Sequence, residues 1–430
     1  MTISRRFFLQ SSGMLSAYLG FAPAQALASA SSLLDASITV RRDKTLVVIF
    51  LRGGADGMNL VVPYGDRHYR SLRPTLGINA PGQGDGAAID LDGYFGLHPA
   101  LAPLMPYFQG GEAVAAHAVG YAHNTRSHFE EQDVWETGVI GNTINSDGWV
   151  NRHLMTSAGR GPIRALAIGE SLPRLFHGDA ATLTIRGLND LKVGNGRDGL
   201  VGALEHAYAV NPNMHEDEAA NQVRQSAAAT FDAMRELRKV ATSQDAETTT
   251  YPNTDLGRKL RDVARLIKAD IGLEVAEVDL DGWDTHQNQG RRADGQFANL
   301  AGTLSTAVAA FLEDLKERRD DVLVATLTDF GRTAAENGTR GTDHGWANAM
   351  FLFGGAVHNA HRQRAGGAAP VIANWPGLAP DQLHEGRDLL HTMDFRDVLA
   401  EVVGTHLGNP NLAKVLPDHD CAPVGLVARS

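Results

Sequence analysis

This chain of 430 residues has a single cysteine, Cys421, so no intramolecular disulfide staples the fold. Proteins that enter an oxidising compartment unfolded often use disulfides, and their absence fits export in an already folded state. A basic excess is also lacking: 39 Lys and Arg against 50 Asp and Glu leave a formal net charge of -11. Without a basic stripe to displace condensed counterions, the composition argues against a nucleic-acid binder. It does not exclude anionic substrates, because a bound cation supplies positive charge locally. The sequence has no apolar run long enough to span a bilayer as a stable helix, so stable membrane insertion is not expected.

What is present begins with an address. Ser4-Arg5-Arg6-Phe7-Phe8-Leu9-Gln10 matches the twin-arginine export pattern. A short apolar stretch follows from Met14 to about Phe21, and the Ala-rich segment Ala22 to Ala30 offers A-x-A cleavage sites, including Ala26-Leu27-Ala28. Residues 1–30 therefore read as a signal peptide addressed to the twin-arginine export machinery, and the mature protein as periplasmic or secreted. That route carries folded proteins, often loaded with metal or cofactor beforehand.

Beyond the signal, Thr45–Leu51 (TLVVIFL) is a continuous apolar, β-branched run, as expected of a strand buried on both faces of a parallel sheet. Further strands are expected at Ala113–Val119, Arg164–Ile168, Leu273–Leu280, Val322–Leu327 and Met350–Phe353. Helical periodicity covers Pro99–Phe108, Phe129–Thr137, Leu256–Ala269, Phe297–Arg318 and Phe395–Leu407. The alternation predicts a doubly wound α/β sandwich. One domain is expected over about residues 40–430, with a polar, Ala-rich helical cap inserted at about 189–253, including a helix at Ala219–Val240 and an exposed loop at Ser243–Asn253.

In such sheets ligands gather beyond the carboxyl ends of the strands. The first strand runs into Arg52-Gly53-Gly54-Ala55-Asp56, which puts Asp56 at the edge as a candidate metal carboxylate or a simple Asp-Gly turn residue. After the second comes Ser127 in R-S-H-F-E. It forms an S-x-x-E capping box with Glu130, and it also has the placement of a nucleophile at a helix N-terminus. After the fourth comes Asp281-Gly282-Trp283-Asp284-Thr285-His286; Asp284 and His286, two apart, point the same way in extended chain, with carboxylate and imidazole donors that suit zinc or manganese. After the fifth comes Asp329-Phe330-Gly331-Arg332, with Asp329 a candidate ligand and Arg332 a candidate clamp on a phosphate or sulfate oxygen. Asp-Phe-Gly here does not signal a protein kinase, since neither the H-R-D catalytic loop nor G-x-G-x-x-G is present. Just before the sixth strand, His344 is a candidate ligand, with Asp343 as its orienting partner or a ligand itself.

Taken in order, R-G-G-A-D-G-M-N, R-S-H-F-E-E-Q with W-E-T-G, G-W-D-T-H-Q-N-Q, D-F-G-R-T and G-T-D-H-G-W resemble the DUF1501 family, grouped with the alkaline phosphatase and sulfatase superfamily. The resemblance implies a three-layer αβα sandwich with a mostly parallel sheet and a site for one or two divalent metals (Zn, Mn, Ca or Mg). Asp56 then resembles the first-strand metal acid, Ser127 the nucleophile or a substrate-side ligand, Asp284, His286 and His344 one metal's ligands, and Asp329 an acid of the second metal. The chain departs from the superfamily in having D-x-H where D-x-x-x-H is common, and Asp329-Phe330 where Asp-His is common. It also lacks the early C-x-P-x-R of a formylglycine sulfatase. The implied activity is hydrolysis of a small-molecule or polymeric phosphate or sulfate ester. A metal-dependent mutase or transferase, and a non-catalytic exported binding protein of the same fold, are the alternatives.

Overall fold

The computed structural model describes residues 44–141, 146–159, 161–191, 218–243, 249–290, 295–363 and 369–428. The signal segment, residues 192–217 of the expected cap and residues 244–248 of its loop lie outside them.

The core is a nine-stranded mixed sheet. Its strands are β1 (Thr45–Leu51), β2 (Ala113–Gly120), β3 (Ala165–Ile168), β4 (Leu183–Ile185), β5 (Val275–Leu280), β6 (Val322–Thr328), β7 (Asn348–Gly354), β8 (Val371–Ile372) and β9 (Met393–Asp394). They lie in the order β8-β2-β7-β6-β1-β5-β3-β4, with β9 also pairing β2. Central β1 is flanked in parallel by β5 and β6, so that Ile49 lies between Val278 and Thr326. All seven β1 side chains are buried. Val47, Ile49 and Leu51 enter one apolar cluster and Leu46, Val48 and Phe50 the other, as the twofold alternation of a strand requires. Each such fully buried side chain stabilises the fold by about 1.5–3 kcal/mol.

Helices cover both faces. The first cluster is closed by α3 (Glu218–Thr242), α4 (Asp255–Lys268) and α5 (Gln296–Leu315), through Phe231, Leu260, Val263 and Phe311. The second is closed by α1 (His128–Thr137), α2 (Trp149–Thr156) and α6 (Phe395–Glu401), through Trp135, Trp149 and Phe395. Thr254 caps α4 by accepting from the Gly257 amide, and Asp394 caps α6 through the Arg396 amide. The layers are thus helix, sheet, helix, with α3 packed into the core.

Three local expectations change. β7 is antiparallel to both β6 and β2. The chain from β6 to β7 contains turns and no crossover helix, and a parallel return needs one. Pro99–Phe108 is a 3-10 turn (Pro99–Leu104) followed by a short helix (Met105–Gln109), because Pro103 and Pro106 cannot donate to a helical ladder. Phe395–Leu407 is α-helical only to Glu401 and continues as a π turn over Val402–His406.

Candidate metal centre

The antiparallel β7 brings its amino end to the rim where β1, β2, β5 and β6 have their carboxyl ends. Residues that precede β7 therefore meet residues that follow the other four. Gly53 and Gly54, just after β1, have φ of +113° and +74°. A Cβ on Gly53 would lie 2.6 Å from the Asp284 amide nitrogen, and one on Gly54 2.6 Å from the Phe330 ring. Glycine is required there for the β1 turn to pack against the two loops that carry the site.

Three imidazoles converge at this rim. His128 opens α1, His286 follows β5 and His344 precedes β7. Each has its Nδ1 against an atom that only accepts: His128 donates to Asp329 Oδ2 (2.6 Å), His286 to Asp343 Oδ1 (2.9 Å) and His344 to the Arg126 carbonyl (2.8 Å). The Nδ1 proton is fixed in all three rings, so each neutral ring presents its lone pair at Nε2. The Nε2 atoms of His286 and His344 are 2.9 Å apart, and they lie 3.0 and 3.2 Å from Asp284 Oδ1. His128 Nε2 is 3.6 Å from Asp284 Oδ2 and makes no hydrogen bond. Ligand atoms of His128, Asp284 and His344 also all lie within 4.8 Å of one another.

Phe330 forms the floor, its ring 4.7 Å from that of His128 and 4.6 Å from that of His344. Asp284, 44 % exposed, and His286, 38 % exposed, open the site to solvent. For Asp284, burial pushes the carboxyl up but is outweighed by the Arg332 hydrogen bond and charge and by His286 and His128, so its pKa falls below the ordinary value. Asp329 is likewise lowered, burial being overcome by hydrogen bonds from His128, Gln132 and the Gly53 amide. His128 is raised, chiefly by its bond to Asp329. His344 is lowered, chiefly by burial.

The structure brings Asp284, His286 and His344 together and gives the other expected residues different partners. Asp329 bonds His128, Gln132 Nε2 (2.9 Å) and the Gly53 amide (3.1 Å), so it orients a histidine. Asp343 orients His286, not His344. Asp56 is buried in an ion pair with Arg73 (2.6 Å), where it also accepts from Gln289 Nε2 (2.6 Å). Gln289 Oε1 in turn accepts from Thr285 and Thr342, which links Asp56 to the site loops without placing it among the histidines. Arg332 corrects the anion-clamp expectation. Its side chain is fully buried and bonds the carbonyls of Gly53, Gly54, Trp283 and Thr342 and, at 2.7 Å, Asp284 Oδ1. It ties three loops together and aims Asp284.

Ser127 occupies the N-cap position of α1 with extended backbone, but its side chain makes no capping bond. The expected capping box is replaced by the next glutamate: buried Glu131 accepts from Thr125 N (2.7 Å), Thr125 Oγ1 and Tyr121 OH. The helix N-terminus beside His128 is left uncapped. His128 and its support Gln132 were not among the expected site residues. The available signal was a histidine directly after Ser127, with Gln132 one helical turn on, in the segment following a strand.

Fold and site together define an α/β-sandwich protein with a histidine- and aspartate-lined centre at one sheet edge. Residues 196–418, just over half of the chain, match the family described as "Protein of unknown function (DUF1501)", and the chain belongs to that family. No curated protein matches it in sequence. Among solved structures it is similar to the C-terminal periplasmic domain of EcEptC from Escherichia coli in complex with Zn (10% identity, 76% of this chain and 77% of that one, TM-score 0.34). It is also similar to alkaline phosphatase from the Antarctic bacterium TAB5 (8% identity, 74% and 93%, TM-score 0.32). A third is the PsFucS1 sulfatase from Pseudoalteromonas sp. (10% identity, 99% and 74%, TM-score 0.33). No helix among the described residues is long and apolar enough to cross a membrane.

Proposed function

We propose that this protein is an exported, metal-dependent hydrolase of phosphate or sulfate esters, with a single divalent cation held by His128, Asp284, His286 and His344. The observation that carries the reading is the common orientation of the three imidazoles. Each Nδ1 proton is given to an acceptor-only group, leaving Nε2 lone pairs turned towards one carboxylate. Two lone pairs 2.9 Å apart repel unless a proton or a cation lies between them. Imidazole-rich sets with one carboxylate suit zinc and manganese better than calcium or magnesium, which prefer all-oxygen shells. A single ion is favoured because Asp56 and Asp329 already have other partners.

When bound, the cation supplies charge neutralisation for an ester's anionic oxygens and lowers the pKa of a coordinated hydroxyl or water. The chain's own residues supply the rest. Asp329 and Asp343 hold the His128 and His286 rings, and Arg332 holds Asp284. Ser127 stands between Arg126, whose carbonyl orients His344, and His128. Its hydroxyl is not used as a cap, so it is available as the nucleophile or as a ligand to the ester. The open first turn of α1 adds backbone N–H groups and the positive end of the helix dipole for the anionic oxygens. Export by the twin-arginine machinery rests on Ser4–Gln10.

The test is elemental analysis of the purified protein, followed by a panel of chromogenic phosphate, phosphonate and sulfate esters. About one equivalent of cation, and turnover of at least one ester that is lost in Asp284→Asn, is the expected result. Bound cation without turnover of any ester leaves a binding protein and removes the enzymatic reading. No cation at all removes the centre itself.

A further inference from the structure

We infer that Asp388 is a positioning residue for His344, acting through Arg126 and Arg387; this rests on the reading of the three imidazoles as a cation centre. Asp388 is fully buried, 44 residues along the chain from His344. Its Oδ2 accepts from Arg126 Nε (3.0 Å) and Nη2 (2.7 Å), and Arg387 Nη1 lies at 3.5 Å. Those two arginines are the residues that hold His344. The Arg126 carbonyl takes the His344 Nδ1 proton, and Arg387 Nη2 donates to the His344 carbonyl at 2.8 Å. One carboxylate thereby fixes both the ring and the main chain of a proposed ligand.

The surrounding backbone supports this role. Arg126 has φ of +59°, a conformation that residues with side chains rarely adopt unless restrained. Glu385, paired with Arg126 at 2.7 Å, has φ of +53°. The Arg126 turn is what aims its carbonyl at His344, and the buried half of its restraint is Asp388. The main chain repeats the linkage: Asp388 bridges Thr333, while neighbouring Arg332 bridges His344. Asp388 Oδ1 makes no hydrogen bond to any described residue, so the carboxylate stays buried with half of its acceptor capacity unused. Such a group is costly to bury, and a role in aiming His344 accounts for its place better than stability alone. Groups that orient a metal-binding histidine typically change affinity by about 10- to 100-fold when removed.

The experiment is zinc titration of full-length Asp388→Asn and Arg387→Ala against a chromophoric chelator, with thermal unfolding of the metal-free proteins alongside. Asp388→Asn, one contact further from the ring than a direct partner, is expected to weaken zinc binding by up to roughly tenfold. Arg387→Ala, which releases the His344 carbonyl and removes one of the two cations facing Asp388, is expected to weaken it severalfold in a protein that still folds. Wild-type zinc affinity in a folded Asp388→Asn, or in Arg387→Ala should Asp388→Asn fail to fold, overturns the inference alone. A wild-type protein that binds no zinc instead removes the cation reading on which it stands.

Discussion

His286 and His344 meet Nε2 to Nε2 at 2.9 Å, although each donates its Nδ1 proton elsewhere. The pair is frustrated without a positive charge between the rings. A cation that relieves the repulsion binds the folded state selectively and stabilises it by mass action. At a hundredfold excess over its dissociation constant the gain is about 2.7 kcal/mol, which for a chain of this size is a rise in melting temperature of about 3 °C. Differential scanning calorimetry with zinc or manganese, against a chelator-treated sample, measures it. His344→Ala is expected to abolish the shift.

Arg332 offers a second test, because its two assignments differ in what they predict. A substrate clamp is exposed and its loss raises KM. A fully buried guanidinium bonded to four carbonyls and Asp284 is structural, and its loss leaves those acceptors unsatisfied. Arg332→Met, which leaves buried carbonyl acceptors unsatisfied, is expected to destabilise the protein by at least about 1–3 kcal/mol, read as a shift in urea midpoint. Unchanged stability with a raised KM would restore the clamp.

How far the chain could be read in advance depended on whether the deciding contact was local. β1 was legible because six consecutive apolar residues after Thr45, three of them β-branched, have no stable place except between two helical layers. The Asp284–His286 spacing was legible because two alternate residues share a face whatever lies around them. Asp56 and Arg332 were legible as strand-end residues but not in their roles. Asp56 is claimed by Arg73 through a fold-dependent contact, and Arg332 by carbonyls on loops after β1 and β5. His128 was obscured by its neighbour, since the S-x-x-E pattern explained Ser127 without requiring that the next ring turn inward. The direction of β7 was hidden because strand propensity does not depend on polarity. It is set by the missing crossover helix between Thr328 and Asn348.

Ser127→Ala separates chemistry from capping. An N-cap serine that bonds its helix costs about 1 kcal/mol when truncated. Ser127 makes no such bond, so its alanine variant is expected to keep its stability within about 0.5 kcal/mol. Zinc affinity is also expected to be unchanged. If Ser127 is the nucleophile, kcat on the best ester falls by at least about 100-fold. A variant with wild-type kcat would transfer the attack to water.

Acid sensitivity should come from two histidines remote from this chemistry. His117 and His406 are buried, and burial lowers each to about 4 from an ordinary 6.5. His117 is fully satisfied as a neutral ring, with Nε2 donating to the Val61 carbonyl at 3.0 Å and Nδ1 accepting from the Ala118 amide at 2.8 Å. His406 Nε2 donates to the Thr45 carbonyl at the start of β1. Below pH 6.5 the unfolded chain takes up protons that the folded protein refuses until about pH 4. Their contribution is therefore fully present above pH 6.5 and is lost as the pH falls towards 4. Each accounts for about 3 kcal/mol across that interval. Urea midpoints at pH 7, 5.5 and 4.5 are expected to fall, and His406→Gln, which keeps a side-chain donor for Thr45 but cannot titrate, should flatten the slope. An unchanged slope in that variant would remove His406 as a source of the acid lability.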